Sequence, residues 1–392
     1  MTRAAAAPVL VALALRLAAL LACDRVVADV ARYERVARHL LDVSWNPYAT
    51  ERLYPYPPPW AAAEAAALWL ERRSVGSFAV NVKLPAVAAD LGIVALLGRA
   101  ASLGMAPGAA PWLYALHPVS VLVTGAHGQF DAIPLAFLLL AVLLAERGRK
   151  GASALALGAG IATKSFPVLA LPFLAFAGGR SWRAASRYAV LALAPSAVLL
   201  APFALADLEA VRRELFGYGG IADFGWAGVV RGASWLATGE LPRSEARFWP
   251  TASFVSKGVF LVAWAALALA VRAKRLALDS RAAVLAVLLA FAASYGLQSA
   301  QYLLWVVPFA LLRPGRATAW HALCAAAGLV GFYLFLAPGV LVPVALEGAA
   351  RETAGWLWLA GAAATLVVCA VWLWRLIDDS STKSLLPETR RV

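Results

Sequence analysis

The chain has 392 residues, 62% of them hydrophobic and 15% charged, with a mean hydropathy of +0.74. A soluble domain cannot bury that much apolar surface, so this composition excludes a soluble protein and requires lipid around part of the chain. The net charge of +13 comes from basic residues that recur in short loops between apolar runs, which is the pattern that orients membrane helices and not one that indicates nucleic-acid binding.

The apolar runs predict an all-α polytopic membrane protein with about 12 transmembrane helices. In chain order, the predicted spans are 5–23, 78–98, 108–124, 131–146, 151–163, 165–177, 186–206, 254–272, 282–297, 301–313, 317–338 and 355–375. Residues 151–177 are either a hairpin that turns at the sequence TKSFP or one broken span. Only the hairpin puts all four basic loops (147–150, 178–183, 272–275 and 313–316) on the cytoplasmic side, so we predict the hairpin.

This threading defines one integral membrane domain, 1–375, and a cytoplasmic tail, 376–392, whose polar composition predicts disorder. A first outer loop, 24–77, and a large outer loop, 207–253, lie on the opposite side. Cys23, Cys324 and Cys369 all fall inside apolar runs and indicate packing residues, with no disulfide or metal framework.

The first outer loop begins with a predicted amphipathic surface helix over 24–42. Its apolar residues share an arc of about 120°, and Asp29 is the one charge on that arc. An unpaired carboxylate on such a face costs several kcal/mol. Asp29 is therefore either paired with Arg25 or Arg32 in a salt bridge, or it is a functional acid.

The stretch NPYATERLYPYPPPW, residues 46–60, joins this helix to a second predicted surface helix over 60–73. Its prolines make the backbone rigid without secondary structure. The side chains of Tyr48, Tyr54 and Tyr56 combine an apolar ring with a hydroxyl, which suits either an interfacial anchor or a wall that binds a sugar.

The motif GAHGQFD, residues 125–131, precedes the span at 131–146 on the same outer side. Asp131 is either the N-cap of that helix or a substrate-binding acid. Gln129 and His127 could contact sugar hydroxyls, and no second histidine or cysteine has the spacing that would make His127 a metal ligand.

Further polar residues lie at the predicted outer surface. Lys164, at the turn of the hairpin, could bind a phosphate or reach lipid head groups, and Arg212 or Arg231 could bind the phosphate instead. In LQSAQY, Gln298, Gln301 and Tyr302 are predicted to line a cavity, because amides are poor neighbours for lipid.

Within the span 78–98, Lys83 and Asp90 are seven residues apart on one helix face, and we expect them to pair.

Five separated stretches resemble a known superfamily in the same order along the chain. They are Asp29–Tyr33 (DVARY) followed by NPY and YPYPPP, then NVKLPAVAADL at 81–91, HPVSVLVTGAHGQFDAIP at 117–134, ATKSFPVLALP at 162–172 and SAQYLLWVVP at 299–308. Together they resemble the membrane glycosyltransferases of the GT-C fold, and most closely the GPI mannosyltransferase I-like group and its bacterial relatives.

The resemblance implies a GT-C-like fold and the inverting transfer of one sugar, with mannose as a candidate, from a polyprenyl-phosphate-linked donor. The acceptor would be a glycan, a lipid or a protein on the outer face of a bacterial inner membrane. Asp29 matches the position of the family's catalytic acid, and Tyr33, Tyr48, Tyr54 and Tyr56 fall in its aromatic motifs.

One departure concerns metal binding. The mannosyltransferases carry an Asp-x-Asp motif, whereas Asp24 and Asp29 are five residues apart, so no metal ligand is predicted and a divalent metal stays an open question. A lipid or solute transporter is the alternative function. Transporters usually show inverted repeats and polar groups at mid-membrane, and this sequence shows neither.

Overall fold

The structure, a computed structural model, describes residues 3–24, 27–50, 54–177, 179, 181–342 and 344–385. These residues form helices and turns, with two isolated β-bridges and no strand among them. The helices, in chain order, are α1 (Arg3–Ala22), α2 (Ala28–Asp42), α3 (Pro58–Glu71), α4 (Phe78–Ser102), α5 (Ala110–Ala115), α6 (Pro118–Ser120), α7 (Ala132–Glu146), α8 (Lys150–Thr163), α9 (Leu171–Ala175), α10 (Trp182–Ala206), α11 (Leu208–Phe216), α12 (Gly225–Thr238), α13 (Pro250–Arg272), α14 (Ser280–Ser294), α15 (Val307–Ala310), α16 (Arg316–Phe335) and α17 (Gly348–Leu385).

The all-helical class predicted from the sequence is confirmed, and the chain is an integral membrane protein. Among the described residues, α4, α10, α13, α16 and α17 are long and apolar enough to cross a membrane. Several other predicted spans form shorter apolar helices, such as Ala132–Glu146 and Ser280–Ser294. The count of about 12 spans therefore stays a prediction.

Residues 151–177 form two helical pieces, which fits either a hairpin or one broken span. Helix α8 ends at Thr163, Lys164 is extended, and a 3-10 helix over Phe166–Ala170 leads into α9. Helix α8 packs between α7 and α10, where the Ser153 hydroxyl lies 2.8 Å from both the Ala141 carbonyl oxygen and the Tyr188 hydroxyl. The break at Lys164 thus separates two short helical segments.

Residues at or near three of the four basic loops predicted to share one side of the membrane (147–150, 272–275 and 313–316) meet in space. Glu146, at the end of α7, accepts a hydrogen bond from the backbone N–H of Ser280 and lies 3.6 Å from Arg281. Asp279 pairs with Arg281 and also, across 2.5 Å, with Arg313 in the loop before α16. These contacts bring the starts of α8, α14 and α16 to the same end of the helix bundle.

The first loop contains two helices where the sequence predicted them, α2 and α3. The apolar face of α2 is buried against protein: Val30, Tyr33, Val36 and Ala37 are at most 2% exposed. Their neighbours are the aromatic residues of α3 and the start of α4. This packing fixes α2 firmly enough to hold a functional side chain.

Two expectations drawn from the sequence require correction. Helix α17 continues to Leu385, past Arg375, where the sequence predicted that the helix would give way to a disordered tail. Lys83 and Asp90 do not pair, although both are fully buried. Lys83 instead donates its hydrogen bonds to backbone carbonyl groups, because tertiary neighbours are closer than a residue two turns away on α4.

The partner of Asp90 is Arg16 of α1, with 2.6 Å between Nε and Oδ2 and both side chains at 0% exposure. The hydroxyl groups of Tyr114 and Ser120 donate to the same carboxylate at 2.6 and 2.7 Å. The pair therefore ties α1, α4, α5 and α6 together, and its remaining hydrogen-bonding capacity is filled, which a buried ion pair needs if it is not to destabilise the fold.

Removing one member of this pair should be much worse than removing both. Asp90→Leu leaves the Arg16 guanidinium buried without a counter-ion, which costs about 3–5 kcal/mol. The double substitution Arg16→Met/Asp90→Leu removes both charges and should recover most of that loss. Thermal melting of purified protein in detergent measures both effects. A single variant that melts with the double variant or above it would contradict the assignment.

Candidate active site

Asp29 lies in the first turn of α2 and is held by two side chains from a distant segment. Its Oδ2 atom accepts a hydrogen bond from Gln129 Nε2 at 2.6 Å and lies 3.0 Å from His127 Nε2. The side chain keeps 29% exposure. Oδ1 accepts no hydrogen bond from any residue that the structure describes. One carboxylate oxygen is thus fixed and the other is left for a ligand.

The neighbours of Asp29 are themselves held in place. Tyr33, one turn along α2, donates to Gln129 Oε1 at 3.1 Å, which directs the amide N–H group of Gln129 toward Asp29. His127 Nδ1 lies 3.1 Å from the Tyr333 hydroxyl of α16, so the other ring nitrogen faces the carboxylate. Two anchors therefore determine the orientation of both contacts to Oδ2.

The backbone that presents His127 and Gln129 is a π-helix, Val121–His127, which ends at Gly128 with φ +83°. π-helical turns are frequent at functional sites. A Cβ atom at Gly128 would lie 2.6 Å from the Lys83 side chain, so only glycine fits. Lys83 Nζ donates to the carbonyl oxygens of Ala126 and Cys23, at 2.9 Å each. The buried amine thereby stabilises the turn next to Asp29.

Electrostatics keep Asp29 ionised. Burial raises the pKa of its carboxyl group, but the hydrogen bond and charge of His127, together with the charge of Arg32, outweigh that effect and hold the pKa below its ordinary value of 3.8. The salt bridge to Arg32 that the sequence left open is absent, since Arg32 makes no ion pair with any described residue; Arg25 lies outside the described residues. Asp29 is thus a carboxylate at neutral pH.

Asp131 and Lys164 form a second buried pair close by, 2.7 Å apart. Asp131 occupies the N-cap position of α7, but its side chain makes no capping hydrogen bond. Its second oxygen accepts from Trp305 Nε1 at 2.6 Å, and Lys164 Nζ lies over the rings of Phe130 and Tyr56. The acid and the cation neutralise each other and are both less than a tenth exposed, and direct contact of either with substrate stays a prediction.

The proline-tyrosine stretch divides into structural and site-facing residues. Tyr48 and Tyr54 are fully buried. The Tyr48 hydroxyl donates to the Tyr56 carbonyl oxygen, and the Tyr54 hydroxyl donates to the Pro57 carbonyl oxygen and accepts from Ala61 N–H, at 2.7–2.8 Å. The structure therefore corrects the expectation that these two bind substrate.

Tyr56 differs from Tyr48 and Tyr54. It is only partly buried, and its hydroxyl lies within electrostatic range of Asp29 and Arg32. Of the three tyrosines, Tyr56 is the one that the structure brings to the site. Tyr33 and Gln129 are 2% and 1% exposed and hold Asp29 in place, and their contact with substrate stays a prediction.

The polar residues of the motif LQSAQY also differ in their surroundings. Gln298 donates to the backbone carbonyl oxygens of Ala292 and Tyr295, and is structural, against expectation. Gln301 is buried and makes no hydrogen bond with the described residues. Tyr302 is partly buried, packs on Trp305 and lies within electrostatic range of Tyr56 and Asp131. Tyr302 thus belongs to the site.

Three residues near Asp29 carry little signal in the sequence. Tyr333 sits inside an apolar span, and Tyr218 and Asp223 lie in the large loop between α11 and α12. Asp223 pairs with Arg231 at 3.1 Å, which leaves Arg231 occupied. Both Tyr218 and Asp223 lie within electrostatic range of Asp29. In the sequence, Asp223 could have been noticed only as a carboxylate in a glycine-rich stretch.

The described residues bring no three histidine, cysteine or acidic side chains together in an arrangement that could hold a metal ion.

The chain belongs to a known class: it is a membrane glycosyltransferase of the GT-C fold, as the sequence resemblance implied. The particular family is glycosyltransferase family 87, whose family model matches residues 54–294, more than half of the chain, so the protein belongs to that family. The search of curated proteins gives no match.

Among solved structures, the chain is similar to the crystal structure of ArnT from Cupriavidus metallidurans bound to undecaprenyl phosphate. The two chains are 18% identical, with 97% of this chain and 74% of that chain covered and a TM-score of 0.48.

The different surroundings of Tyr54 and Tyr56 predict opposite effects of substitution. Tyr54→Phe removes a hydroxyl that satisfies two buried backbone groups, so it should lower stability by about 1–3 kcal/mol and leave the activity of the folded protein nearly unchanged. Tyr56→Phe should keep stability and reduce activity. Melting temperature and transfer activity per folded molecule measure the two effects. Equal losses of both in the two variants would contradict this division.

The surroundings of Asp223 predict that the stability of the folded protein depends on pH. Burial raises its pKa from 3.8 to about 6, against the opposing effect of Arg231. A raised pKa means that the folded state holds the proton more tightly than the unfolded state. The stability contributed by the proton is therefore fully present below about pH 4 and is lost as the pH rises through about 6, by at most about 3 kcal/mol.

The Asp223→Asn variant lacks this titration. Melting temperatures of wild type and variant, measured from pH 4 to pH 7, should therefore diverge, with the wild type losing stability relative to the variant as the pH rises. Two parallel curves would show that Asp223 has an ordinary pKa.

Proposed function

We propose that this protein transfers one sugar from a polyprenyl-phosphate-linked donor to an acceptor at the outer face of a bacterial inner membrane, with inversion, and that Asp29 is the catalytic base. Membership of glycosyltransferase family 87 supports the class of reaction. The observation that carries the role of Asp29 is its geometry: Oδ2 is fixed by His127 and Gln129, while Oδ1 is left open in a side chain that is partly exposed.

In the proposed reaction an acceptor hydroxyl oxygen forms a bond to the anomeric carbon while the bond from that carbon to the phosphate oxygen breaks. The hydroxyl proton moves to Asp29 Oδ1, and the polyprenyl phosphate leaves on the opposite face of the sugar, so the anomeric configuration inverts. The hydroxyl becomes more acidic as its oxygen bonds to an oxocarbenium-like carbon. A carboxylate with a low pKa is therefore an adequate base.

The departing phosphate needs positive charge close by. Lys164 was the first candidate, but its amine is neutralised by Asp131. Arg231 is paired with Asp223. Of the other cations, Arg212 is exposed on α11, whereas Arg32 is on the same helix as Asp29, within electrostatic range of it, and without an ion pair in the described chain. The positive charge of Lys164 acts on the phosphate from a greater distance. Lys164 also packs on the rings of Tyr56 and Phe130 and so helps to shape the side of the site that these rings form.

The alternative function, a transporter, has less support. The polar side chains described above gather at one end of the bundle, from α2, the segment 127–131, Lys164, the α11–α12 loop and Tyr302. A transporter places such groups near the middle of the membrane. Mannose remains the proposed sugar because of the resemblance in the sequence, and a glycan, a lipid or a protein remains the proposed acceptor.

Asp29→Asn is the decisive substitution. It keeps the size of the side chain and removes its charge and basicity, so transfer from a polyprenyl-phosphate sugar in membranes should fall by about 10²-fold or more. Melting temperature should change little, because the amide oxygen of asparagine can take the place of Oδ2 and still accept the hydrogen bond from Gln129.

Asp24→Asn is the matched control. Asp24 is exposed and accepts a hydrogen bond from the Ser77 hydroxyl at 2.9 Å, away from His127. Its substitution should leave transfer within about threefold of wild type, since exposed contacts of this kind are weak. Near-normal turnover by Asp29→Asn would assign the base to another residue, with Asp223 the next candidate.

A further inference from the structure

A groove of about 420 Å³ lies between α9, α10 and the second half of α13. Two short segments, the 3-10 helix Phe166–Ala170 and α9, run beside the long helices α10 and α13, and α9 contacts both of them. Because these segments are shorter than their neighbours, they leave the space between α10 and α13 partly unfilled. The side chains around the groove are hydrophobic apart from Ser186, so they predict an apolar occupant.

The groove has a fixed wall and faces the surface of the helix bundle. Trp264 of α13 donates from Nε1 to the Leu169 carbonyl oxygen at 2.9 Å, which holds α13 against the 3-10 helix. Trp182 and Leu261, on the two long helices, line the groove and are 68% and 55% exposed. Both α10 and α13 are long and apolar enough to cross a membrane. In a bilayer the groove therefore opens to lipid, and the apolar occupant is an acyl chain.

One end of the groove is strongly basic. Segments 178–187 and 272–275, which flank it, carry six basic residues and no acid in the sequence. A Cβ atom at Gly179 would lie 3.8 Å from Lys274 Cε, so the two segments are close together. Asp279, the next acid along the chain, already forms ion pairs with other residues. This local excess of positive charge predicts an anionic group at the same end as the acyl chain.

Arg272 connects the basic end with the apolar lining. Its guanidinium carbon lies 5.1 Å from the ring centroid of Phe176 and 5.6 Å from that of Trp182, and both rings line the groove. Its Nε atom is buried, and Arg272 makes no hydrogen bond or ion pair with any residue that the structure describes. A buried donor without a partner costs free energy, so this one indicates an acceptor that comes from outside the chain.

The groove is separate from the candidate active site. Helix α13 has 23 residues and is roughly 35 Å long. Ser253, in its first turn, donates to the carbonyl oxygen of Gly219, in the loop that holds Tyr218 and Asp223. Arg272 is the last residue of the same helix. A ligand whose charged group binds Arg272 therefore lies at the opposite end of α13 from the site residues, beyond the reach of the sugar transfer.

We propose that this groove binds a phospholipid with an anionic head group, taken from the leaflet on the side of the basic loops. One acyl chain lies in the groove between α9, α10 and α13, and the phosphate accepts hydrogen bonds from Arg272, with Lys274 beside it. The lipid joins three helices that leave a gap without it. This site is independent of the proposed function, because none of its residues takes part in the sugar transfer.

Native mass spectrometry of the purified full-length protein in a non-ionic detergent tests the inference with three probes: dioleoyl phosphatidylglycerol, dioleoyl phosphatidylcholine and inorganic phosphate. The wild type should bind phosphatidylglycerol at least about tenfold more tightly than either other probe, because only that lipid combines a net negative head group with an apolar chain. Arg272→Gln/Lys274→Gln should weaken phosphatidylglycerol binding at least about tenfold. The control, Arg99→Gln/Arg147→Gln, removes two exposed cations at the ends of α4 and α7 and should leave it unchanged.

A second pair of variants tests the groove without changing its charge. Ser186→Trp places an indole ring in the groove and should weaken phosphatidylglycerol binding at least about tenfold, because the acyl chain loses its contacts. The control, Ala197→Trp, adds the same ring at an exposed position of α10 outside the groove and should leave binding unchanged.

Three results would each overturn the inference. The first is equal binding of the two lipids by the wild type. The second is phosphate binding as tight as that of phosphatidylglycerol, which would assign the cations to a free anion. The third is unchanged phosphatidylglycerol binding by either the Arg272/Lys274 variant or the Ser186 variant. The measurement needs no turnover, so its outcome is separate from that of the Asp29→Asn transfer assay.

Discussion

The arrangement of the site depends on the contact between Asp29 and the segment His127–Gln129. A carboxylate on the apolar face of α2 would be costly if it were unpaired, and the chain satisfies only one of its oxygens. Tyr33 and Tyr333 orient the two side chains that do so. The consequence is an acid that is ionised and immobile, yet still able to bind a ligand through Oδ1, which is the combination that a base in sugar transfer requires.

That contact forms only if the backbone at the end of the π-helix is held in one conformation. Buried charged side chains hold it there. Lys83, fully buried in α4, donates to the carbonyl oxygens of Cys23 and Ala126 and packs on Gly128. The ion pairs Arg16–Asp90 and Lys164–Asp131 fix neighbouring helices in the same way. In an apolar bundle such groups have few alternative partners, so they determine which helices meet and in which register.

The features that could be predicted from the sequence are those that leave a periodic pattern over a few residues. The positions of α2 and α3, the break at Lys164 and the choice of Asp29 follow from patterns within one or two helical turns. The prediction that Lys83 pairs with Asp90 was wrong, because Arg16, on another helix, is closer to Asp90 and pairs with it. Tyr48 and Tyr54 were expected to bind substrate, but their hydroxyl groups satisfy backbone groups inside the loop. Contacts between residues far apart in sequence, such as those of Tyr218 and Asp223 with Asp29, leave no periodic signal in a single sequence.

The central claim is that Asp29 faces the anomeric carbon from the side opposite the phosphate. A cryo-electron microscopy structure with a non-transferable phosphonate analogue of the donor tests this claim most directly. The account predicts that the anomeric carbon lies within about 6 Å of Asp29 Oδ1, which leaves room for one acceptor oxygen between them, with the phosphonate on the far face of the sugar. A sugar bound with its phosphonate against Asp29, or bound away from α2, would contradict the account.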